Sequence, residues 1–148
     1  MNKTILIIGA FDSKGLEFAF LRDQVFAQGC DVLTLNVGVF GGTDLFPIQV
    51  PADDVAAAAG TTLEALRTAD DRGEAMKAMA RGAPEVVRRL HDEGKFGGAI
   101  GMGGTGGSSV VASALRSLPL GVPKVLVSTA AGGDVSAYVG TKDIVMVP

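Results

Sequence analysis

The sequence predicts an α/β fold: a Rossmann-like or flavodoxin-like doubly wound parallel sheet of about five strands, with helices on both faces. Short continuous apolar runs rich in β-branched residues recur along the chain, the pattern of strands buried on both faces, and stretches with helical spacing lie between them. Three of the runs also end in loops dense in glycine or hydroxyl residues, at the carboxyl ends of strands, where such sheets bind ligands.

Thr4-Ile5-Leu6-Ile7-Ile8, closed by Gly9, is the first strand. Over residues 14–28, Leu16, Phe18, Phe20, Leu21, Val25 and Phe26 occupy more than one helical face, so this helix is expected to be covered twice, by the sheet and by a neighbour. Gly29 stands at its C′ position. Cys30 is expected as a small buried hydrophobe before the second strand, residues 31–37. Residues 38–51 dissolve into Gly41-Gly42-Thr43-Asp44 and Phe46-Pro47, a loop of a length that points to a function or an interface. Thr61-Thr62-Leu63-Glu64 is a capping box opening a short helix to about Thr68.

Residues 72–93 carry Met76, Met79, Ala80, Ala83, Val87 and Leu90 as an amphipathic stripe. Pro84 inside it predicts a kink near Gly82, or a fresh start there. Gly98-Ala99-Ile100 is the third strand; the helix after it presents Val110, Val111, Ala114, Leu115 and Leu118 to the sheet and stops at Pro119. Residues 124–127 and 143–147 complete the set, with strand order 2-1-3-4-5 expected.

A length of 148 residues makes one domain, able to bury about two thirds of its unfolded surface. Thirteen basic and 16 acidic side chains give a net charge of −3, with no Lys/Arg block and no Trp, which argues against direct nucleic-acid binding. The first apolar run stops at Gly9, too short for a signal segment or a membrane span, so a soluble protein without membrane attachment is expected. The single cysteine cannot pair within the chain and fits a reducing cytoplasm. A hydrophobic content of 47% with mean hydropathy +0.36 suggests apolar surface for another lobe or a second subunit.

The densest chemical signal is Gly101-Met102-Gly103-Gly104-Thr105-Gly106-Gly107-Ser108-Ser109, between the third strand and its helix. Glycines leave backbone N–H groups uncovered, and a helix start adds unpaired donors and the positive end of its dipole, so a phosphate is the natural guest. Two more strand-end loops join it, Gly9-Ala10-Phe11-Asp12-Ser13-Lys14-Gly15 and Ser128-Thr129-Ala130-Ala131-Gly132-Gly133-Asp134. Together they supply amides, hydroxyls, a lysine and two carboxylates, a set suited to phosphates and a hydrated divalent ion.

The central loop satisfies G-x-G-x-x-G at Gly101, Gly103 and Gly106. A dinucleotide site also wants an acidic residue after the next strand to hold the ribose, and Ser128 and Thr129 stand there instead. A dinucleotide site and a tight turn with no ligand remain competing readings. Lys14-Gly15 inverts the G-K-[ST] ending of a P-loop, which leaves Lys14 either a point charge on a phosphate or a solvated lysine in a first helical turn. Asp12 is a metal contact through water or a helix cap. Asp134 divides between metal, ribose hydroxyl and loop hydrogen bond, and Arg72 between an anion contact and a surface charge cluster. Ser108 and Ser109 do not form a G-x-S-x-G elbow, and nothing offers itself as a catalytic base. His91, the only histidine, reads as a surface cation, which excludes a triad or a histidine metal site, and no protein-built metal site is expected.

Gly9-x-Phe11-Asp12-x-Lys14-Gly15-x-Glu17, Val37-Gly38-Val39, Ala58-Ala59-Gly60, Asp71-Arg72-Gly73, Gly103-Gly104-x-Gly106-Gly107, and Ser128-Thr129 through Tyr138-Val139-Gly140-Thr141-x-Asp143-Ile144 follow one another in a telling order. Nearly end to end, this resembles the bacterial and plant ATP-binding domain family named for the tomato mosaic virus resistance protein. The resemblance implies ATP with Mg²⁺ as ligand, and dimerisation. In the plant relative the domain belongs to an inhibitor of a viral replication protein; the bacterial members have no established reaction. By motif position Gly9, Phe11, Asp12, Lys14, Gly103, Gly104, Thr105, Gly106, Gly107, Ser128, Thr129 and Asp134 would line the site. Because family members continue into a second α/β lobe, the chain is expected to be the N-terminal lobe of a longer protein.

The leading expectation is therefore Mg-ATP binding, with the triphosphate on the amides of Gly103 through Ser108, Lys14 assisting, and the adenosine near Phe11 and the third loop. The alternatives are an enzyme acting on a small phosphorylated or carboxylated metabolite, and a non-catalytic interaction or oligomerisation module.

Overall fold

The computed structural model describes residues 2–148. In chain order the elements are β1 (Thr4–Gly9), α1 (Gly15–Ala27), β2 (Asp31–Asn36), α2 (Ala52–Ala58), α3 (Leu63–Ala69), α4 (Arg72–Asp92), β3 (Gly98–Gly103), α5 (Thr105–Arg116), β4 (Lys124–Ser128), α6 (Ser136–Val139) and β5 (Val145–Val147). The strands form one parallel sheet in the expected order, β2-β1-β3-β4-β5. The chain leaves β1 toward one edge and β3 toward the other. Their carboxyl ends therefore flank the crevice at which doubly wound sheets bind ligands.

The two-residue period of the strands sorts their side chains onto two unequal faces. Leu6, Ile8, Leu35, Ala99 and Leu126 pack with α4 and α5 in the larger core. On the other face α1 and the loop before α2 cover Ile7, with Phe11, Phe18 and Phe46 filling the layer. That second layer ends at β3. Val125 lies beside Ile100 and Val145, and Val127 beside Met102 and Val147, so the six share one face; Val145 and Val147 at its edge are 58% and 41% exposed. The neighbour expected over α1 does not lie among the described residues, since Leu16 and Phe20 are 74% and 67% exposed.

Pro84 neither restarts nor ends a helix: α4 runs unbroken through it. Its missing N–H frees the carbonyl of Ala80, four residues earlier. The Ser113 hydroxyl of α5 donates to that carbonyl at 2.6 Å. Gly82 serves a different contact. A Cβ there would lie 2.0 Å from the Val55 carbonyl oxygen, so the glycine lets α2 and α4 touch backbone to backbone.

Other boundaries shift for local reasons. The cap of α3 is Thr62, which accepts from the Ala65 amide at 3.1 Å; with Ala65 at the third helical position the expected capping box of Thr61 and Glu64 gives way to a simple N-cap one residue later. Helices α2 and α6 are additions to the expected elements; α2 opens at Pro51 with Asp53 and Asp54 in its first turn, both favourable at a helix start. Strand β5 is shorter than expected because Asp143 is used otherwise. Its carboxylate accepts from Lys124 Nζ at 2.6 Å, and that buried ammonium also donates to the carbonyls of Pro119 and Val122. Cys30 is half-buried.

Candidate functional site

The crevice at the β1/β3 switch is built chiefly from backbone. At Gly103 a Cβ would meet the Ser108 amide at 2.6 Å, so only glycine lets the strand turn directly into the first turn of α5. Gly104 is the N-cap and carries no capping side chain. The Ser108 amide bonds the Gly104 carbonyl, whereas the amides of Thr105, Gly106 and Gly107 have no partner among the described residues. Three donors at a helix start thus face the crevice with nothing of the protein's own to bind.

The serines expected beside them have other work. The Ser108 and Ser128 hydroxyls are buried and hydrogen-bonded to each other, and Ser128 Oγ accepts from the Ala130 amide at 3.0 Å. This joins the second and third loops but spends both hydroxyls. Thr129 remains exposed, tied by its amide to the Gly103 carbonyl at 3.3 Å.

The first loop is held by Asn36, which is 4% exposed. Its Oδ1 accepts from the amides of Phe11 and Gly38, and its Nδ2 donates to the Gly41 carbonyl at 2.8 Å. An amide side chain at the carboxyl end of β2, buried beside the first loop, is the sequence signal for this role. Gly9 is a packing glycine, since a Cβ there would overlap the Phe18 ring. Phe11 is 1% exposed and packs edge-on between Phe18 and Phe46, with ring centroids 4.9 and 5.0 Å away. A ring enclosed in that way cannot stack on adenine, so the expectation of a Phe11 contact to the base is corrected.

Asp12 is not a helix cap. Its Oδ2 accepts from the Phe40 amide at 3.1 Å, and its carboxylate occupies the space a side chain at Gly38 would need. Lys14 is the N-cap residue of α1, half-buried, and its ammonium makes no hydrogen bond or ion pair among the described residues.

A cavity of about 330 Å³ opens between the loops after β1 and β2 and the start of α4. Asp12, Gly38, Phe40, Arg72 and Met76 are among its walls. The Arg72 guanidinium lies 5.4 Å from the Phe40 ring centroid and has no carboxylate partner among the described residues. Met76, one turn into α4, reaches the α5 start: a Cβ at Gly106 would lie 2.6 Å from its methyl. The cavity therefore adjoins the unpartnered amides. Phe40 and Met76 belong to no motif, and only the fold brings them to the site.

Asp134 lies elsewhere. Together with Arg116 and Tyr138 it lines a separate cavity of about 480 Å³. Its carboxylate accepts from the Ser136 amide at 3.0 Å, and this bond holds its pKa below the ordinary 3.8. Of the roles open to it from sequence, the loop hydrogen bond is the one observed. Among the described residues no group of three or more His, Cys, Asp or Glu side chains could hold a metal ion. A Mg²⁺ arriving with phosphates needs only one or two carboxylates and its own waters, which the single Asp12 carboxylate fits. No helix among the described residues is long and apolar enough to cross a membrane.

The model of the uncharacterised protein family UPF0261, N-terminal domain, matches residues 3–148. A UPF0261 protein of Clostridium tetani is 43% identical over 147 residues, 99% of this chain and 36% of that protein. One from Mesorhizobium japonicum is 39% identical over 146 residues, 99% of this chain and 36% of its own length. The ToMV resistance protein Tm-1(GCR237) of Solanum lycopersicum is 42% identical over 158 residues, covering 97% of this chain and 21% of the tomato protein. The chain thus spans about a third of these bacterial relatives and about a fifth of the plant one.

Proposed function

Because this chain belongs to the UPF0261 family, we propose that it binds a phosphorylated nucleotide, Mg-ATP first among them, at the β1/β3 crevice. One observation carries the reading: the unpartnered amides of Thr105, Gly106 and Gly107 at a glycine-built helix start, at the switch point of a parallel sheet. The phosphates lie on these amides, over Gly103 and Gly104. Lys14, with an uncommitted ammonium, supplies a point charge, and Thr129 a free hydroxyl at the rim. Mg²⁺ comes in on the phosphates, with Asp12 reaching it through water and the ion neutralising phosphate charge.

This is a binding site before it is a catalytic one. Its one carboxylate is tied to the Phe40 amide and, among the described residues, no base is hydrogen-bonded to the Thr129 hydroxyl, so turnover would rest on positioning and Mg²⁺ alone. The exposed Leu16 and Phe20, with the open face at Val145 and Val147, support a further lobe or a second copy packed against this one. The single, half-buried cysteine is in keeping with a reducing cytoplasm.

Thermal unfolding with Mg-ATP, tripolyphosphate, NAD and phosphate tests the reading. Saturating Mg-ATP at about 100 times its Kd should add roughly 2.7 kcal/mol of stability. Gly104→Val should abolish that gain while leaving the unliganded protein folded, since a Cβ at Gly104 meets nothing nearer than Thr129 Oγ1 at 4.0 Å. No stabilisation by any phosphorylated ligand, or a full response in the variant, would overturn it.

A further inference from the structure

We infer that the cavity beside the α5 amides takes the planar heteroaromatic half of the ligand, stacked on the Phe40 ring where the Arg72 guanidinium now rests; this builds on the phosphate-binding reading above. Size and position point the same way. At about 330 Å³ the cavity stands at the small end of ligand pockets, roughly 300–1,000 Å³, so it holds a base and part of a sugar and leaves the phosphates outside. Met76 links it directly to Gly106, where the phosphates are held.

The walls suit a flat, weakly polar group. Val37, Val39, Ala75 and Met76 supply apolar surface. Phe40 is an aromatic side chain left 48% exposed at the mouth. Its backbone is nonetheless fixed, by Asp12 at the Phe40 amide and by Arg67 Nε donating to the Val39 carbonyl. An aromatic side chain on a held backbone has only two torsions to fix when a base stacks on it. Arg72 covers the ring in a cation–π contact and has no carboxylate to leave. A stacking base displaces it toward the neighbouring phosphates, which a guanidinium binds well.

The test compares Mg-ATP with Mg-tripolyphosphate, by calorimetric titration of the wild type and of Phe40→Ala. Phe40→Ala should weaken ATP about tenfold, as the loss of one aromatic stacking partner does, and tripolyphosphate less than about twofold. Protein carrying ¹³C-methyl methionine gives a second readout independent of folding losses. ATP, but not tripolyphosphate, should shift the Met76 methyl and give contacts from the base protons to it. Met102, on the opposite face of the sheet at the end of β3, should not respond. An unchanged ATP-to-tripolyphosphate ratio in Phe40→Ala, or base contacts to Met102 in place of Met76, overturns this inference and leaves the phosphate cradle standing. If neither Mg-ATP nor tripolyphosphate binds the wild type, the underlying reading has failed.

Discussion

Ser113→Ala should destabilise the protein although it replaces serine in a helix with the best helix former. The Ser113 hydroxyl donates at 2.6 Å to the Ala80 carbonyl, the acceptor that Pro84 leaves without its helical donor. Removing the hydroxyl strands that acceptor between two packed helices, at a cost of about 1–3 kcal/mol where water is excluded. Ser113 is half-buried, which favours the lower end, and the helix propensity of alanine returns about 0.5 kcal/mol. The net cost is about 1–2 kcal/mol, a fall in melting temperature of roughly 2–8 °C at this chain length. Urea unfolding of the double-mutant cycle with Pro84→Ala isolates the cause. Alanine at 84 restores an N–H for the Ala80 carbonyl, so Ser113→Ala in that background should cost less than about 0.5 kcal/mol. Equal costs in the two backgrounds would refute the rescue of Pro84 by Ser113.

Gly82→Ala should also destabilise, despite gaining about 1 kcal/mol of helix propensity, because its Cβ would lie 2.0 Å from the Val55 carbonyl oxygen and force α2 from α4; a higher urea midpoint would contradict the contact. Asp143 predicts a pH signature. The Lys124 ammonium, and next the Gly121 amide, hold its carboxyl at about 2, below the ordinary 3.8. A depressed folded pKa contributes stability that is fully present above 3.8 and lost as pH falls through about 2. The stability gap between wild type and Asp143→Asn should therefore be flat near neutrality and close only in that acid window. A gap that persists unchanged below pH 2 would show that the carboxylate charge is not what holds the clasp.

The strands were legible because continuous apolar, β-branched runs between helical stretches leave few alternatives to a parallel sheet, and the doubly wound form of such sheets supplies their order. The glycine-built start of α5 was legible too: glycines at a strand-to-helix turn act through backbone, which sequence position alone locates. What local reasoning missed depends on partners far along the chain. Pro84 reads as a break until Ser113, in another helix, takes over its carbonyl. Phe11 reads as a ligand contact by its motif position in a strand-end loop, and only its packing between Phe18 and Phe46, the latter brought in by a loop without a strong pattern, shows it to be core. The same loop carries Phe40 to Arg72, which sequence position had left open between an anion contact and a surface charge cluster. Helix α2 did have signals, Pro51 and the two aspartates after it, but alanine and one valine make a faint amphipathic pattern over seven residues.

If the first-turn amides of α5 hold the phosphates, the backbone ¹⁵N–¹H spectrum reads those amides directly. Titration with Mg-ATP should move Thr105, Gly106 and Gly107 downfield together in the proton dimension, with tripolyphosphate moving the same three. Binding that shifts residues elsewhere while these amides stay fixed would contradict the account.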